Sequence, residues 1–137
     1  MSVSPDLIAA YEAADYVVFA EPELVLKIGE PSRRLDALLE SEHASTAAFV
    51  TAANPRSEKK SAADNAAALA VLDQVIAAAG YPWRAAEGRE PDGSWREPSR
   101  LVIGIYRGNA EALGRLFGQN AIVFVEKGRA PELLVLA

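Results

Sequence analysis

The chain has 137 residues, of which 50% are hydrophobic and 24% are charged, so it can bury a core and is not disordered by composition. Its formal net charge is -5 and its basic residues adjoin one another only in pairs, which argues against nucleic-acid binding, because that binding needs a basic surface to displace counterions. Cysteine is absent, which excludes disulfides, thiolate nucleophiles and Cys-ligated metal sites.

The N-terminal residues and the hydropathy of the chain predict the cellular location and the partners of the protein. Residues 1–6 lack the basic and apolar segments of a secretory signal, and no apolar run approaches the roughly 20 residues that cross a bilayer. We therefore expect a soluble protein of the bacterial cytoplasm, a monomer or homodimer, with neither membrane nor nucleic acid as a partner. His43 is the single histidine, and one histidine without cysteine cannot build a typical zinc site, so no metal or cofactor is expected.

The first part of the chain predicts a helix, a β-hairpin and a second helix. Ser4 and Pro5 predict a helix start that continues to Ala14, because proline is favoured in a first helical turn. Two short apolar runs separated by Glu-Pro-Glu then predict a hairpin. In chain order these elements are a helix to Ala14, strands over 16–20 and 24–28, and a helix over 31–41.

The middle of the chain predicts a buried strand followed by a long helix. Residues 47–53 are nearly all apolar, which is typical of a central strand covered on both faces. Ser61 can cap a helix over 61–79, with Asp64 three positions on, and Gly80 ends it. The apolar stripe of this helix consists of Leu69, Leu72 and Ile76.

The last part of the chain predicts four strands and one helix. They are a weak strand over 81–87, a loop over 88–98, a buried strand over 101–106, a helix over 109–117 capped by Asn109, and a hairpin of strands 121–125 and 132–136. The runs 47–53, 101–106 and 121–125 lack alternation, so we expect them in the sheet interior. The pattern predicts a single α+β (or mixed α/β) domain over 1–137, with a mixed central sheet of five to seven strands and helices packed on it.

Three polar patches lie at the ends of predicted strands, and we expect them to converge on one cleft. They contain Thr51, Asn54, Arg56, Ser57, Ser61 and Asn65 in the first, Trp95, Glu97 and Ser99 in the second, and Gln119 and Asn120 in the third. The alternative for each patch is ordinary loop, cap and turn chemistry without a ligand.

Asn65 begins the apolar stripe of the long helix and should therefore face the core. A buried amide left unpaired costs about 1–3 kcal/mol, so Asn65 must find partners, and the loop over 54–57 is the nearest candidate. It either ties that loop down or helps to form a ligand pocket, where the helix N-terminus and Arg56 could attract an anion.

Glu97 is the best candidate for a general base. If the chain is extended here, as Pro98 favours, then Trp95, Glu97 and Ser99 point the same way. A partly buried carboxylate can have a raised pKa and take a proton at neutral pH. The alternative is a surface glutamate beside a core tryptophan.

Several longer segments of the sequence resemble those of a known protein family. They are Ala10-Tyr11 and Tyr16, residues 26–29, 35–39 and 47–57, Asn65, Gly88, and residues 93–99 and 113–121. On these strings, of which Thr-Ala-Ala-Asn-Pro-Arg-Ser and Phe-Gly-Gln-Asn-Ala are the most specific, nearly the whole chain resembles the bacterial domain-of-unknown-function family 3293. The resemblance implies no activity, but its strings contain the same three polar patches.

Three functions remain open from the sequence. The first is a binding module for a small polar or anionic metabolite, such as a nucleotide, anchored by Asn54, Ser57 and Asn65. The second is a hydrolase or transferase with Glu97 as base and the amides of Asn54, Asn65 or Gln119 stabilising charge. The third is an interaction protein whose polar positions are structural. A deep pocket would favour the first two functions, and a raised Glu97 pKa within it would favour the second.

Overall fold

The computed structural model describes residues 3–137. Within that range it contains four α-helices, a short 3-10 turn over Pro55–Ser57, and seven β-strands. The helices are α1 (Pro5–Ala13), α2 (Arg33–Ser41), α3 (Ala62–Ala78) and α4 (Arg107–Leu116). The strands are β1 (Asp15–Val18), β2 (Leu24–Leu26), β3 (Thr46–Val50), β4 (Trp83–Arg89), β5 (Arg96–Ile103), β6 (Ala121–Glu126) and β7 (Glu132–Val135). The α+β class is confirmed.

The seven strands form one sheet in the order β2-β1-β4-β5-β3-β6-β7, and every ladder is antiparallel. The expectation of mixed pairing was therefore wrong. Strands joined by a helix do run parallel to one another, but another strand always lies between them: β5 separates β3 from β4, and β3 separates β5 from β6. Each inserted strand is antiparallel to both neighbours, so no parallel ladder forms.

The three apolar runs expected in the sheet interior are confirmed there. β5, β3 and β6 are consecutive in the sheet, and each pairs on both sides. Because alternate side chains of a strand point to opposite faces, these strands supply two cores. Phe49 packs on the face covered by α2, through Leu35 and Leu39, whereas Val50 packs on the face covered by α3 and α4.

Serine side chains cap the N-termini of three helices, α1, α2 and α3. The side chains of Ser4 and Ser61 accept hydrogen bonds from the backbone N–H groups of Leu7 (3.2 Å) and Asp64 (3.0 Å), which confirms both predicted helix starts. The predicted start of the last helix was wrong, because α4 begins at Arg107 and Asn109 lies inside its first turn.

The hairpin of β4 and β5 extends further than the sequence indicated. Residues 88–98 were expected as one loop, yet Arg89 pairs with Arg96 in the ladder and only residues 90–95 form the connection. The polar side chains of this segment suggested a loop. They instead alternate along the paired strands β4 and β5, one face of which is turned away from the packed core. At the other end, β5 stops at Ile103 because Gly104 adopts a left-handed conformation with φ +85°.

The described helices are all too short or too polar to cross a membrane.

Candidate functional site

A cavity of about 460 Å³ lies between α1, the loop that follows β3, and one face of the sheet. The sheet supplies its floor through alternate residues of neighbouring strands. Phe49 pairs with Val123, Val123 pairs with Leu133, and Gly88 pairs with Glu97, and all of these residues line the cavity. This is the sheet face that α2 covers elsewhere, so the cavity occupies the part of the face that α2 does not reach.

Helix α1 forms the roof of the cavity. Leu7, Ala10 and Tyr11, at i, i+3 and i+4, line the cavity, and no residue of α1 is fully buried. The roof is fastened at its C-terminal end, where the Tyr11 hydroxyl shares a 2.6 Å hydrogen bond with Ser57 Oγ and the Tyr16 hydroxyl donates to the Tyr11 carbonyl oxygen (2.5 Å). The apolar side of this helix therefore faces an open space rather than a filled core.

The loop that follows β3 forms a second wall in a strained conformation. Asn54, Arg56 and Ser57 all have φ between 46° and 61°, the left-handed region that costs energy for residues other than glycine. Backbone hydrogen bonds hold the loop there: Arg56 N–H donates to the carbonyl oxygen of Gly118 (2.7 Å) and Ser57 N–H to that of Asn54 (2.8 Å). The loop is thereby held in one shape against the start of β6.

Two asparagine side chains fix one another's orientation at the base of this loop. The backbone N–H of Asn54 donates to Asn65 Oδ1 (2.9 Å), so that atom must be the oxygen of the amide. The backbone N–H of Lys60 donates to Asn54 Oδ1 (2.9 Å), which likewise identifies the oxygen of the second amide, and Asn65 Nδ2 donates to the same atom (2.9 Å). Asn54 Nδ2 is therefore left facing Glu97, and it donates to Glu97 Oε2 (3.0 Å).

The carboxyl group of Glu97 has an altered acidity and a defined proton position. Burial raises its pKa from 4.5 to about 7, and the hydrogen bond from Asn54, which acts in the opposite direction, only partly offsets this. Because Asn54 Nδ2 can only donate, it favours Oε2 as the carbonyl oxygen of the protonated group, since a carbonyl oxygen accepts better than a hydroxyl oxygen. The proton that the group gains near neutral pH is therefore favoured on Oε1.

Alternation along β5 brings the second polar patch into the same cavity. Trp95, Glu97 and Ser99 all line it, as the pattern predicted. Gly88, opposite Glu97, leaves room for the indole, because a Cβ atom built there would lie 3.3 Å from the Trp95 ring. Ser99 is 3% exposed and its hydroxyl donates to the Glu97 carbonyl oxygen (3.1 Å).

The other titratable groups of the cavity surround Glu97. Burial, together with the neighbouring Tyr11 and the charge of Glu97, raises the pKa of Tyr16 well above its ordinary value, so its hydroxyl remains a donor. Glu90 and Lys59 also line the cavity, and neither forms an ion pair with another residue of the 3–137 range. Within that range no three His, Asp or Glu side chains are grouped as metal ligands.

The polar residues singled out in the sequence divide into three groups. Those that line the cavity are Thr51, Asn54, Ser57, Trp95, Glu97, Ser99 and Gln119. Asn65 and Ser61 belong to the start of α3 and do not line the cavity, and Asn65 lies behind Asn54. Arg56 and Asn120 lie instead in a neighbouring cavity of about 520 Å³, of which Gln119 is a shared wall.

The sequence reasoning did not assign five aromatic and charged side chains to the cavity, namely Tyr11, Tyr16, Phe49, Lys59 and Glu90. Tyr16 and Phe49 were interpreted as core residues or parts of strands, whereas Lys59 and Glu90 were not considered. Tyr11 had a signal, because it completes an apolar stripe on α1 for which the sequence offered no obvious core partner.

Comparison with known proteins gives one family match. The family model described as protein of unknown function (DUF3293) matches residues 50–122, more than half of the chain. The matched range contains Asn54, Asn65, Glu97 and Gln119, so it covers the polar wall of the cavity. No curated protein and no solved structure matches the chain.

Removing the Asn65 amide should destabilise the protein. Asn65→Ala leaves the backbone N–H of Asn54 without a partner and removes one of the two hydrogen bonds that the Asn54 side-chain oxygen accepts, which should lower the free energy of unfolding by about 1–3 kcal/mol. Each kcal/mol corresponds to a fall in Tm of about 2–8 °C for a domain of this size. The control is Gln74→Ala, which truncates an exposed amide of the same helix. Equal melting temperatures for the two variants would refute the anchoring role of Asn65.

Replacing Glu97 should change how stability depends on pH. The unfolded chain releases the Glu97 proton near pH 4.5, whereas the folded chain keeps it until about pH 7, so the parent loses stability as pH rises through this window. Glu97→Gln has no such loss. The variant should match the parent at pH 4 and exceed it at pH 8 by about 1–3 kcal/mol, after allowance for partial exposure. Urea unfolding measures this, with the exposed Glu30→Gln as control; a difference that is the same at both pH values would contradict the raised pKa.

Proposed function

We propose a ligand-binding function for this chain, which belongs to the DUF3293 family of proteins of unknown function. The ligand is a small polar molecule that enters the cavity beneath α1 and meets the Oε1 atom of Glu97. One observation carries this proposal: a carboxyl group in the cavity wall has one oxygen held by Asn54 while the other is free to exchange a hydrogen bond or a proton with a ligand.

The form of the cavity supports binding over a purely structural role. Its volume of about 460 Å³ lies within the range of about 300–1,000 Å³ typical of small-molecule sites. Its lining combines aromatic and aliphatic side chains with a few polar ones, which is also typical of such sites. A flat, filled surface at this part of the sheet face would have favoured an interaction protein without a ligand, and the cavity is open instead.

The local chemistry favours a polar ligand over an anionic one. Arg56, the cation that would have assisted an anion, lines the neighbouring cavity and not this one. At the N-terminus of α3, the N–H of Asp64 already donates to Ser61 and the N–H of Asn65 to the Ser61 carbonyl oxygen. No residue of α3 lines the cavity, so the groups expected to attract an anion both lie outside its lining.

A second candidate function is general acid–base catalysis by Glu97 in a hydrolase or transferase. The observation that favours it is the pKa of about 7, because a catalytic acid or base works best when its pKa lies near the working pH. Of the three amides considered for stabilising charge, Asn54 is in contact with Glu97, Asn65 is behind it, and Gln119 Nε2 donates to two carbonyl oxygens of the chain. Catalysis would therefore depend mainly on Glu97.

A thermal-shift screen of metabolites and nucleotides tests the binding proposal, since a ligand of the folded state raises Tm by mass action. We expect at least one polar compound to raise the Tm of the parent and to lose its effect in Glu97→Gln, which keeps an oxygen to accept from Asn54. Glu30→Gln, remote from the cavity, should respond as the parent does. Hits that stabilise Glu97→Gln equally would place binding elsewhere, and the absence of any hit would count against a ligand function.

A further inference from the structure

The donors around the Glu97 carboxyl group are already used within the protein. The Ser99 hydroxyl donates to the Glu97 carbonyl oxygen (3.1 Å), and the Thr51 hydroxyl donates to the Pro98 carbonyl oxygen (2.7 Å). Gln119 Nε2 donates both of its hydrogens to backbone carbonyl oxygens, at 3.1 and 3.2 Å. The two carbonyl partners also fix the orientation of the Gln119 amide, because only its nitrogen can face them.

Two acceptors in the same wall are left unused. Glu97 Oε1 and Gln119 Oε1 accept no hydrogen bond from any residue of the described chain. Among residues 3–137, Asp15 Oδ1 is the single fully enclosed side-chain nitrogen or oxygen without a hydrogen bond, so both acceptors reach accessible space. Glu97 Oε1 therefore offers an acceptor to whatever enters the cavity, and Gln119 Oε1 offers a second one in the wall that this cavity shares with its neighbour.

The remaining lining favours a flat molecule with positive charge. Four aromatic rings line the cavity, from Tyr11, Tyr16, Phe49 and Trp95, and the negative faces of such rings attract organic cations. Two carboxyl groups add negative charge to the same wall, Glu90 and, above about pH 7, Glu97, and the one cation among the residues of this lining is the exposed Lys59.

We infer that the ligand is a small planar nitrogen compound, an amidine or an aminated nitrogen heterocycle, whose N–H groups donate to Glu97 Oε1 and Gln119 Oε1 while its ring lies among the aromatic side chains. This inference rests on the proposed binding function and narrows it to one chemical class. Paired N–H donors match a carboxylate oxygen and an amide oxygen, neither of which can donate in this arrangement when Glu97 is ionised.

An acid of the same size would fit the wall less well. The donors of the lining that remain free are Lys59, which is exposed, the indole N–H of Trp95, and the hydroxyl of the Tyr11–Ser57 pair that accepts within that pair. Above about pH 7, where Glu97 is ionised, an acid bound to them would leave Glu97 Oε1 facing a like charge. The class of ligand is therefore decided by the buried group, and not by the exposed lysine.

The test compares benzamidine with benzoate, which have the same ring and similar size but opposite charge and opposite hydrogen-bonding capacity. Calorimetric titration at pH 8 should detect binding of benzamidine to the parent and not of benzoate. Glu97→Gln should weaken benzamidine binding at least tenfold, whereas Glu30→Gln should leave it unchanged. Amide NMR shifts should locate the compound at residues of the cavity wall, such as Gly88 and Ser99.

The pH dependence of benzamidine binding provides an independent readout. Binding needs an ionised Glu97, so the affinity should fall about tenfold for each pH unit below about 7 and level off above it. Tyr11 from α1, Tyr16 from β1, Lys59 from the loop after β3 and Glu90 from the β4–β5 turn also face this space. The profile is therefore repeated with Glu97→Gln, in which the dependence should disappear.

The outcomes separate this inference from the broader proposal. Binding of benzoate and not of benzamidine would overturn the ligand class while leaving a binding cavity. The same conclusion follows if neither compound binds but the metabolite screen finds a ligand that needs Glu97. If neither compound binds and the screen is empty, both the class and the binding function are refuted.

Discussion

The hydrogen bond from the Asn54 backbone to Asn65 Oδ1 is the constraint from which the geometry of the cavity follows. It links the first turn of α3 to a residue in the left-handed conformation and so determines where the loop after β3 leaves the sheet. The same pairing turns the Asn54 amide so that its nitrogen must face Glu97. A stabilising contact between a helix and a loop thus also determines which oxygen of Glu97 accepts from Asn54, and favours the other oxygen as the site of its proton.

Burial and hydrogen bonding act in opposite directions on Glu97, and burial has the larger effect. A single neutral amide cannot replace the water that an ionised carboxylate loses, so the charged form is disfavoured until about pH 7. The presence of this group in the cavity wall therefore lowers the free energy of unfolding at neutral pH. Strained residues in the adjoining loop add to that cost, which is typical of sites that serve function more than folding.

Local patterns predicted much of this arrangement. The lack of alternation in three apolar runs identified the interior strands, the alternation of Trp95, Glu97 and Ser99 placed them on one face, and the helical stripe turned Asn65 inward. These features depend on backbone periodicity alone. The insertion of β5 between β3 and β4, the extended hairpin at residues 88–98 and the roof formed by α1 depend on pairing between distant segments, for which periodicity contains no information. For the same reason Tyr11 and Phe49 could be assigned to elements but not to the cavity.

The most direct test of this account is the pKa of the Glu97 side chain in the parent protein, measured by NMR from the carboxyl ¹³C shift as pH is varied. Assignment of that signal can be checked by its absence in Glu97→Gln. We expect the midpoint of the Glu97 titration near pH 7, because the carboxyl group is buried beside a single amide donor. A midpoint near 4.5 would mean that water reaches the carboxylate freely, and would contradict the claim that burial outweighs the hydrogen bond from Asn54.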